Sequence, residues 1–315
     1  MKCLVTGGAG FIGSNIVEAL LEQEHDVVVL DDLSTGKRAN IKPFFDNPRF
    51  RFIEGTITDP AVCMRTCQDV DYVFHEAAQI SVVGSIEDPV RTADINIAGT
   101  MNVFLAARDA GVKRVVWASS TSVYGDTNIL PNVEMMPLRP LSPYAASKAS
   151  GEMLASAFSE VYGISIISLR YYNVFGKRQD PFSLYAAVIP IFVSKLIRGE
   201  RPMIYGDGEQ TRDFVYIDNV VQANIKAAME AGPECSGHAF NVGCGASISI
   251  KGLLKIIAGE LGIDIEPIHK PPRAGEVRDS LADISAAREA FGYDPAVDVR
   301  EGLRLSLAWY REHLV

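Results

Sequence analysis

In the segment SPYAASKASGE, Tyr144 and Lys148 stand four residues apart, the spacing at which two side chains rise from one face of a helix. An ammonium beside a phenol favours its ionised form, and a tyrosine acidic enough to exchange protons near neutral pH is a general acid/base. A packed tyrosine followed by a solvated lysine would give the same spacing. The elements around the pair must decide between the two.

A second chemical signal is TGGAGFIG. Gly8, Gly10 and Gly13 fit G-x-G-x-x-G, and Gly7 adds the G-x-x-G-x-x-G spacing. Glycines there permit a tight turn, close backbone approach to a pyrophosphate and close helix-on-strand packing, while the helix N-terminus stabilises the anion. The context matches: KCLVTGG reads as a buried strand, FIGSNIVEALLEQE as a helix and DVVVLDD as a second strand ending in acids, a full βαβ unit rather than a glycine-rich turn. Asp31 is placed to accept from the adenosine ribose hydroxyls, and its charge would repel a 2′-phosphate. NAD is therefore expected over NADP, with Lys37 and Arg38 as the opposing signal.

The pattern then repeats. RFRFIEG, DYVFHEAA, RVVWASS and SIISLRY read as strands, with helices over Pro60 to Cys67, Thr92 to Ala110 and Tyr144 to Tyr162 between them. Alternation of this kind implies an α/β fold, a Rossmann-type doubly wound parallel sheet with its ligand beyond the carboxyl ends of the strands. The regularity loosens after about residue 173, with helices expected near 184–198, 218–230, 250–261 and 300–312. The expected division is 1–173 for the NAD-binding domain with the catalytic residues and 174–315 for a smaller, mainly substrate-binding α/β lobe, the chain crossing between them.

Composition limits the alternatives. Of 315 residues 48% are hydrophobic and the net charge is -9, which argues for a globular protein whose main partner is neither nucleic acid nor an anionic membrane. The apolar run AAVIPIFV is too short to span a bilayer, and MKCLVTGG enters a strand without an apolar leader. Five scattered cysteines suit a reducing cytoplasm. Cys63 and Cys67 lack zinc-knuckle spacing and the histidines form no ligand motif, so no metal is expected.

With these residues in hand, the chain resembles the extended short-chain dehydrogenase/reductases, and among them the nucleotide-sugar 4-epimerases of the UDP-glucose and UDP-N-acetylglucosamine type. The resemblance runs through TGGAGFIG, HEAAQISV, NIAGTMNV, ASSTSVYGD, SPYAASKASGE, LRYYNVFG, YGDGEQTRDFVYIDN and RAGEVRDSLADIS. It implies a catalytic set of Ser120, Tyr144 and Lys148, with Lys148 lowering the tyrosine pKa and binding the nicotinamide ribose. Phe11 and Ile12 join Gly7, Gly10 and Gly13 at the cofactor, with Asp31 and Asp32 at its ribose. Ala77, Ala78 and Gln79 would line it, and Asn96 would brace the active-site helix. Where relatives often read EGD this chain reads EGT, so adenine contact would rest on Ile57 and backbone groups rather than on Thr56.

On the substrate side the resemblance implies Arg212 and Arg273 at the pyrophosphate, where a guanidinium offers paired donors. Asn173 would bond the phosphates, Val188 and Tyr205 border the uracil, Glu276 hold the ribose, and Ser81 lie near the sugar. Ser280 falls where these epimerases line the space around the sugar C2 substituent, and its small side chain would admit an N-acetyl group. The implied activity is inversion of C4 of a UDP-hexose, UDP-GlcNAc/UDP-GalNAc and also UDP-Glc/UDP-Gal, through a transient 4-keto sugar. A 4,6-dehydratase would need a carboxylate pair beside Ser120, where Thr121 and Ser122 stand, and a UDP-glucuronate decarboxylase a glutamate in place of Ser122. A non-catalytic NAD-binding sensor or scaffold is the rival of another class. Helices 92–110 and 144–162 are the expected homodimer contact.

Overall fold

The computed structural model describes residues 1–180, 187–272 and 277–313. Seven strands, Lys2–Thr6 (β1), Asp26–Asp31 (β2), Phe50–Glu54 (β3), Tyr72–His75 (β4), Arg114–Ser120 (β5), Ile166–Tyr171 (β6) and Ala239–Val242 (β7), make one sheet in the order β7-β6-β5-β4-β1-β2-β3, every pair parallel. Strand alternation divides the core between the two faces. Cys3, Val5, Val27, Val29 and Phe74 pack with the helix Phe11–Glu22 and the C-terminal lobe, while Leu4, Val28, Leu30, Val73 and Trp117 pack on the other side. Burial on both faces is why these strands read as continuous apolar runs.

The strand order reverses between β1 and β4, which opens a crevice at their carboxyl ends. Gly7 leaves β1 there, Ala77 to Gln79 leave β4, and Ser120 ends β5. The helix Pro143–Tyr162 lies beside this edge. Ser142 caps it by accepting from Ala145 N at 3.1 Å, Pro143 occupies its first turn, and Gly163 ends it in the left-handed conformation at φ +70°, the residue preferences of helix start and stop.

The single helix expected over Thr92 to Ala110 is three pieces: Pro89–Ala93, a π-helical turn Asp94–Gly99, and Thr100–Asp109. Such turns put an extra residue into the helix, commonly beside a functional site, and this one carries Asn96. The helix expected near 184–198 is observed as Val188–Ile197, and 184–186 lie outside the described residues. Residues beyond 173 do not all belong to the smaller lobe. The helix Ile217–Met229 packs on β5 and β6, and β7 extends the main sheet. The lobe itself holds short pairs, Asn173–Phe175 with Phe214–Tyr216, Met203–Tyr205 with Ile268–Lys270, and Thr211–Arg212 with Ile248–Ser249. Its helices include Val188–Ile197 and Ile250–Leu261.

The helix Pro143–Tyr162 approaches the sheet through Gly151, where a Cβ would lie 2.3 Å from Cη2 of Trp117 on β5. Trp117 is 1% exposed and has no room to withdraw. Gly151→Ala should therefore destabilise the protein by about 1–3 kcal/mol as an overpacked core does, read as a lower urea midpoint. An unchanged midpoint would show that the helix does not rest on the indole.

Candidate active site

The first turn of the dinucleotide crevice is built by contact. Gly7 has φ +69°, and a Cβ there would lie 2.7 Å from Ala77 N, so the ends of β1 and β4 touch; at Gly13 it would lie 2.3 Å from Gly7 O. Gly10 meets only Gly7 O, at 3.1 Å. The helix Phe11–Glu22 starts at Gly10 with no capping side chain and no acid in its first turn, which leaves N–H groups and the positive end of the helix dipole toward an anion. Asp31 accepts from Ala9 N at 2.9 Å and Leu33 N at 2.8 Å, and each oxygen keeps a further lone pair. Burial holds its carboxyl above the usual range, against the pull of these two donors. Gln79 adds a buried Oε1 without a hydrogen-bond partner. An open helix N-terminus, a carboxylate with acceptor capacity and an orphaned amide oxygen fit a dinucleotide.

The opposing signal at Lys37 and Arg38 weakens in three dimensions. Lys37 Nζ lies 2.6 Å from Asp180 and Arg38 Nη2 2.5 Å from Glu54, so each cation already faces a carboxylate. Asp32 is exposed and accepts from Ser34 N at 2.9 Å. Ile57 is 4% exposed and its carbonyl accepts from Asn102 Nδ2 at 3.0 Å. Thr56 bonds within its own loop, to Thr58.

Ser120 and Tyr144 meet. The Ser120 hydroxyl draws the phenol pKa down, but burial is the larger effect and holds it above the ordinary value. Burial thus opposes the acidification expected from Lys148. Lys148 is 4% exposed, its Nζ donates to Ala118 O at 2.6 Å, and it stands 6.0 Å from the centroid of the Tyr144 ring and 5.0 Å from that of Trp117. Burial lowers its pKa to about 8, opposed by Glu76 and Glu152. The helix start is held from outside: Ser85 Oγ accepts from Tyr144 N at 3.1 Å. Asn96 accepts from Gln79 N at 2.7 Å and donates to Gln79 O at 2.9 Å and Ser147 Oγ at 3.0 Å, while Ser147 Oγ donates to Tyr144 O. The π turn thereby joins the cofactor loop to the active-site helix.

A cavity of about 600 Å³ runs from this group into the lobe. Phe11, Ile12, Ser120 and Tyr144 line its sheet side, and Asn173, Val188, Tyr205 and Arg212 its lobe side. Arg212 is steadied by the carbonyls of Thr211 and Arg278, at 2.8 and 2.7 Å, and Asn173 Nδ2 donates to Asp213 O at 3.2 Å. Two expected residues stand beside the cavity rather than on its wall. Ser81 caps the helix Val82–Glu87, accepting from Gly84 N at 2.8 Å. Ser280, 6% exposed, turns its hydroxyl to Asp213 N at 3.4 Å. Arg273 and Glu276 lie outside the described residues. Among the described residues no group of three or more His, Cys, Asp or Glu could hold a metal, and no helix is long and apolar enough to cross a membrane.

Sequence reasoning missed the support beneath the site. Glu152, one turn beyond Lys148, makes a bidentate pair with Arg170 at 2.9 and 2.7 Å and accepts from Ser119 Oγ at 2.5 Å. Arg170 also donates to Tyr124 Oη at 2.8 Å and Glu134 O at 3.0 Å, and Tyr124 donates to Asn241 on β7 at 2.7 Å. The Glu152 and Arg170 side chains are 7% and 6% exposed, where losing one partner leaves a buried charge. Glu152 had a readable signal, an acid on the same helical face as Tyr144 and Lys148. Arg170 and Asn241, on strands, had none.

Comparison with known proteins agrees with this geometry. Residues 3–243 match the NAD dependent epimerase/dehydratase family. The chain is 41% identical over 313 residues to a UDP-glucose 4-epimerase of Mycolicibacterium smegmatis, covering 99% of each. Among solved structures it is similar to the UDP-glucose 4-epimerase of Thermotoga maritima with UDP-glucose, at TM-score 0.93, 40% identity and 100% coverage of both chains. It is as similar to the UDP-N-acetylglucosamine 4-epimerase of Methanobrevibacter ruminantium in complex with UDP-N-acetylmuramic acid, at TM-score 0.93 and 40% identity over 99% of this chain and 98% of that one. With this coverage and the glycine turn, Ser120, Tyr144 and Lys148 in place, the chain belongs to the NAD-dependent epimerase/dehydratase family.

Proposed function

We infer that the chain is an NAD-dependent UDP-sugar 4-epimerase, and that it inverts C4 of UDP-GlcNAc/UDP-GalNAc as well as UDP-Glc/UDP-Gal. The observation that carries the reading is one cavity holding the Ser120–Tyr144 pair on its sheet side and Arg212 with Asn173 on its lobe side. Bound NAD supplies a reversible hydride acceptor for C4 and, in its oxidised form, a positive charge. Tyr144 takes the proton of the sugar 4-hydroxyl, Ser120 shares a hydrogen bond with that oxygen, and Lys148 provides the fixed cation near the phenol. The 4-keto sugar turns about its link to the pyrophosphate, and Tyr144 returns the proton as C4 is reduced on its other face. Nothing net is oxidised. Such chemistry needs a firm hold on the nucleotide and a loose one on the sugar, and the fixed Arg212 beside a roomy cavity suits that division.

The dehydratase and decarboxylase readings lack their carboxylates, because Thr121 and Ser122 follow Ser120 and Ser122 Oγ is buried without a partner. The choice of sugar rests on the resemblance at Ser280, a small residue that stands just behind the cavity wall with its hydroxyl toward Asp213 N. A homodimer through the helices Thr100–Asp109 and Pro143–Tyr162 is favoured by apolar side chains left exposed there, Met101 on the first and Met153 and Val161 on the second.

The direct experiment incubates purified protein with a panel of UDP-sugars and separates C4 epimers; a non-catalytic NAD-binding protein would form none. Tyr144→Phe should lower turnover by at least roughly 10²-fold with UDP-sugar binding little changed, and near-normal turnover would remove Tyr144 from the chemistry. Protein purified without added nucleotide should release NAD on denaturation, less of it after Asp31→Ala; stoichiometric NADP would reverse the reading of β2. Ser280→Tyr should abolish epimerisation of the acetylated pair first and spare the other, since a roomy pocket rejects a smaller substrate only weakly. An unchanged ratio of the two activities would show that Ser280 does not set the choice.

A further inference from the structure

The extended stretch that presents Arg212 to the cavity has a second face. Gln210, Arg212 and Phe214 line the cavity, and the period of two turns Thr211 and Asp213 to the back of that wall. Asp213 is 0% exposed. Its carboxylate accepts three main-chain N–H groups from two separate segments, Cys244 N at 2.8 Å on Oδ1, and Gly245 N at 3.0 Å and Ala282 N at 3.1 Å on Oδ2. Hydrogen bonds to an ionised acceptor are roughly twice as strong as neutral ones. The fit leaves no slack, since a Cβ on Gly243 would lie 2.8 Å from Asp213 Oδ2 and 2.8 Å from Cβ of Ala282.

The segment held by this carboxylate leads back to the substrate side. Ser280 Oγ accepts from Asp213 N at 3.4 Å, and Ser280 N donates to Thr211 O at 3.1 Å. Two residues earlier, the carbonyl of Arg278 accepts from Arg212 Nη1 at 2.7 Å. Asp213 O in turn accepts from Asn173 N at 3.1 Å and Asn173 Nδ2 at 3.2 Å. We propose that Asp213 is a positioning residue for nucleotide binding, a buried carboxylate that clamps residues 278–282 against the back of the Arg212 stretch. The clamp fixes the Arg212 guanidinium and the Asn173 amide in place for a pyrophosphate, without itself facing the cavity. The inference rests on the reading of the cavity as a UDP-sugar site with Arg212 and Asn173 at the phosphates. An amide at this position has one acceptor oxygen and turns an NH₂ toward main-chain groups that are themselves donors. Asp213→Asn therefore opens the clamp at nearly constant volume, while Ser120 on β5 and Tyr144 on its helix keep their own supports.

The test is calorimetric binding of UDP to the NAD-loaded protein, for the wild type, Asp213→Asn and Arg212→Ala, with bound NAD and the thermal midpoint measured on the same samples. Asp213→Asn should weaken UDP by about tenfold, the scale of one lost hydrogen bond to a charged group. It should raise KM for a UDP-sugar in parallel with kcat little changed, as loss of uniform binding does, and NAD should stay bound. Unchanged UDP affinity would overturn the proposal. So would loss of UDP and NAD together in step with a lower midpoint, which would mark Asp213 as packing only. If Asp213→Asn does not fold, Gly243→Ala presses on the same carboxylate and on Ala282 and should weaken UDP in the same direction; full affinity there overturns the proposal as well. Arg212→Ala separates the two claims. Full UDP affinity in that variant ends the nucleotide reading of the cavity, whereas weakened UDP in Arg212→Ala beside an unmoved Asp213→Asn ends only the inference about Asp213.

Discussion

The dehydration of one ammonium organises this molecule. Lys148 is drawn out of water onto the carbonyl of Ala118, in a place where burial alone works against its charge. It can be held there only if the helix that carries it lies close against β5, and Gly151 against Trp117 provides that closeness. The same approach brings Tyr144, one turn earlier, against Ser120 at the end of the strand. The phenol proposed for proton exchange and the cation proposed to serve it are therefore positioned by one helix–sheet contact, not by separate loops.

A second layer of buried charge ties this contact to the lobe. Glu152 and Arg170 form their ion pair beneath the site, and Arg170 reaches Tyr124 and through it Asn241 on β7. Asn241 Nδ2 then donates to the carbonyls of Asn132 and Asp283, so the segments that approach the substrate side share a network with the active-site helix. Buried polar networks of this kind are costly when half satisfied and rigid when complete. Rigidity suits a site that must keep its acid/base and nucleotide-holding groups in register while the sugar between them turns over.

Much of this was legible in the sequence because local chemistry announces it. The glycine turn, the strand acids and the Tyr-x-x-x-Lys spacing each require particular residue types at fixed offsets, and the apolar runs of β1, β2, β5 and β6 follow from burial on both faces. What was hidden depends on contacts far apart in the chain. Nothing local marks Asn241 as the partner of Tyr124, or Ala239–Val242 as a seventh strand, since a short edge strand has too few residues to show a period. The π turn at Asp94–Gly99 was hidden because one added residue in a helix leaves its apolar pattern nearly intact. The burial around Tyr144 was hidden for a plainer reason: spacing states that Lys148 is near, but only the fold states how much burial opposes it. Ser81 and Ser280 show the same limit, because a small hydroxyl residue reads alike as a site residue, a helix cap or a backbone contact.

The central claim, that one carbon is oxidised and then reduced within the same closed site, is tested most directly by isotope tracing. A UDP-hexose carrying deuterium at C4 is incubated with the enzyme in ordinary water, and the C4 epimer is recovered and analysed for label. The account predicts an epimer that keeps its deuterium at C4, because the hydride removed from that carbon is the one returned to it. An epimer that has exchanged its label with solvent, or a 4-keto-6-deoxy product in place of an epimer, would contradict it.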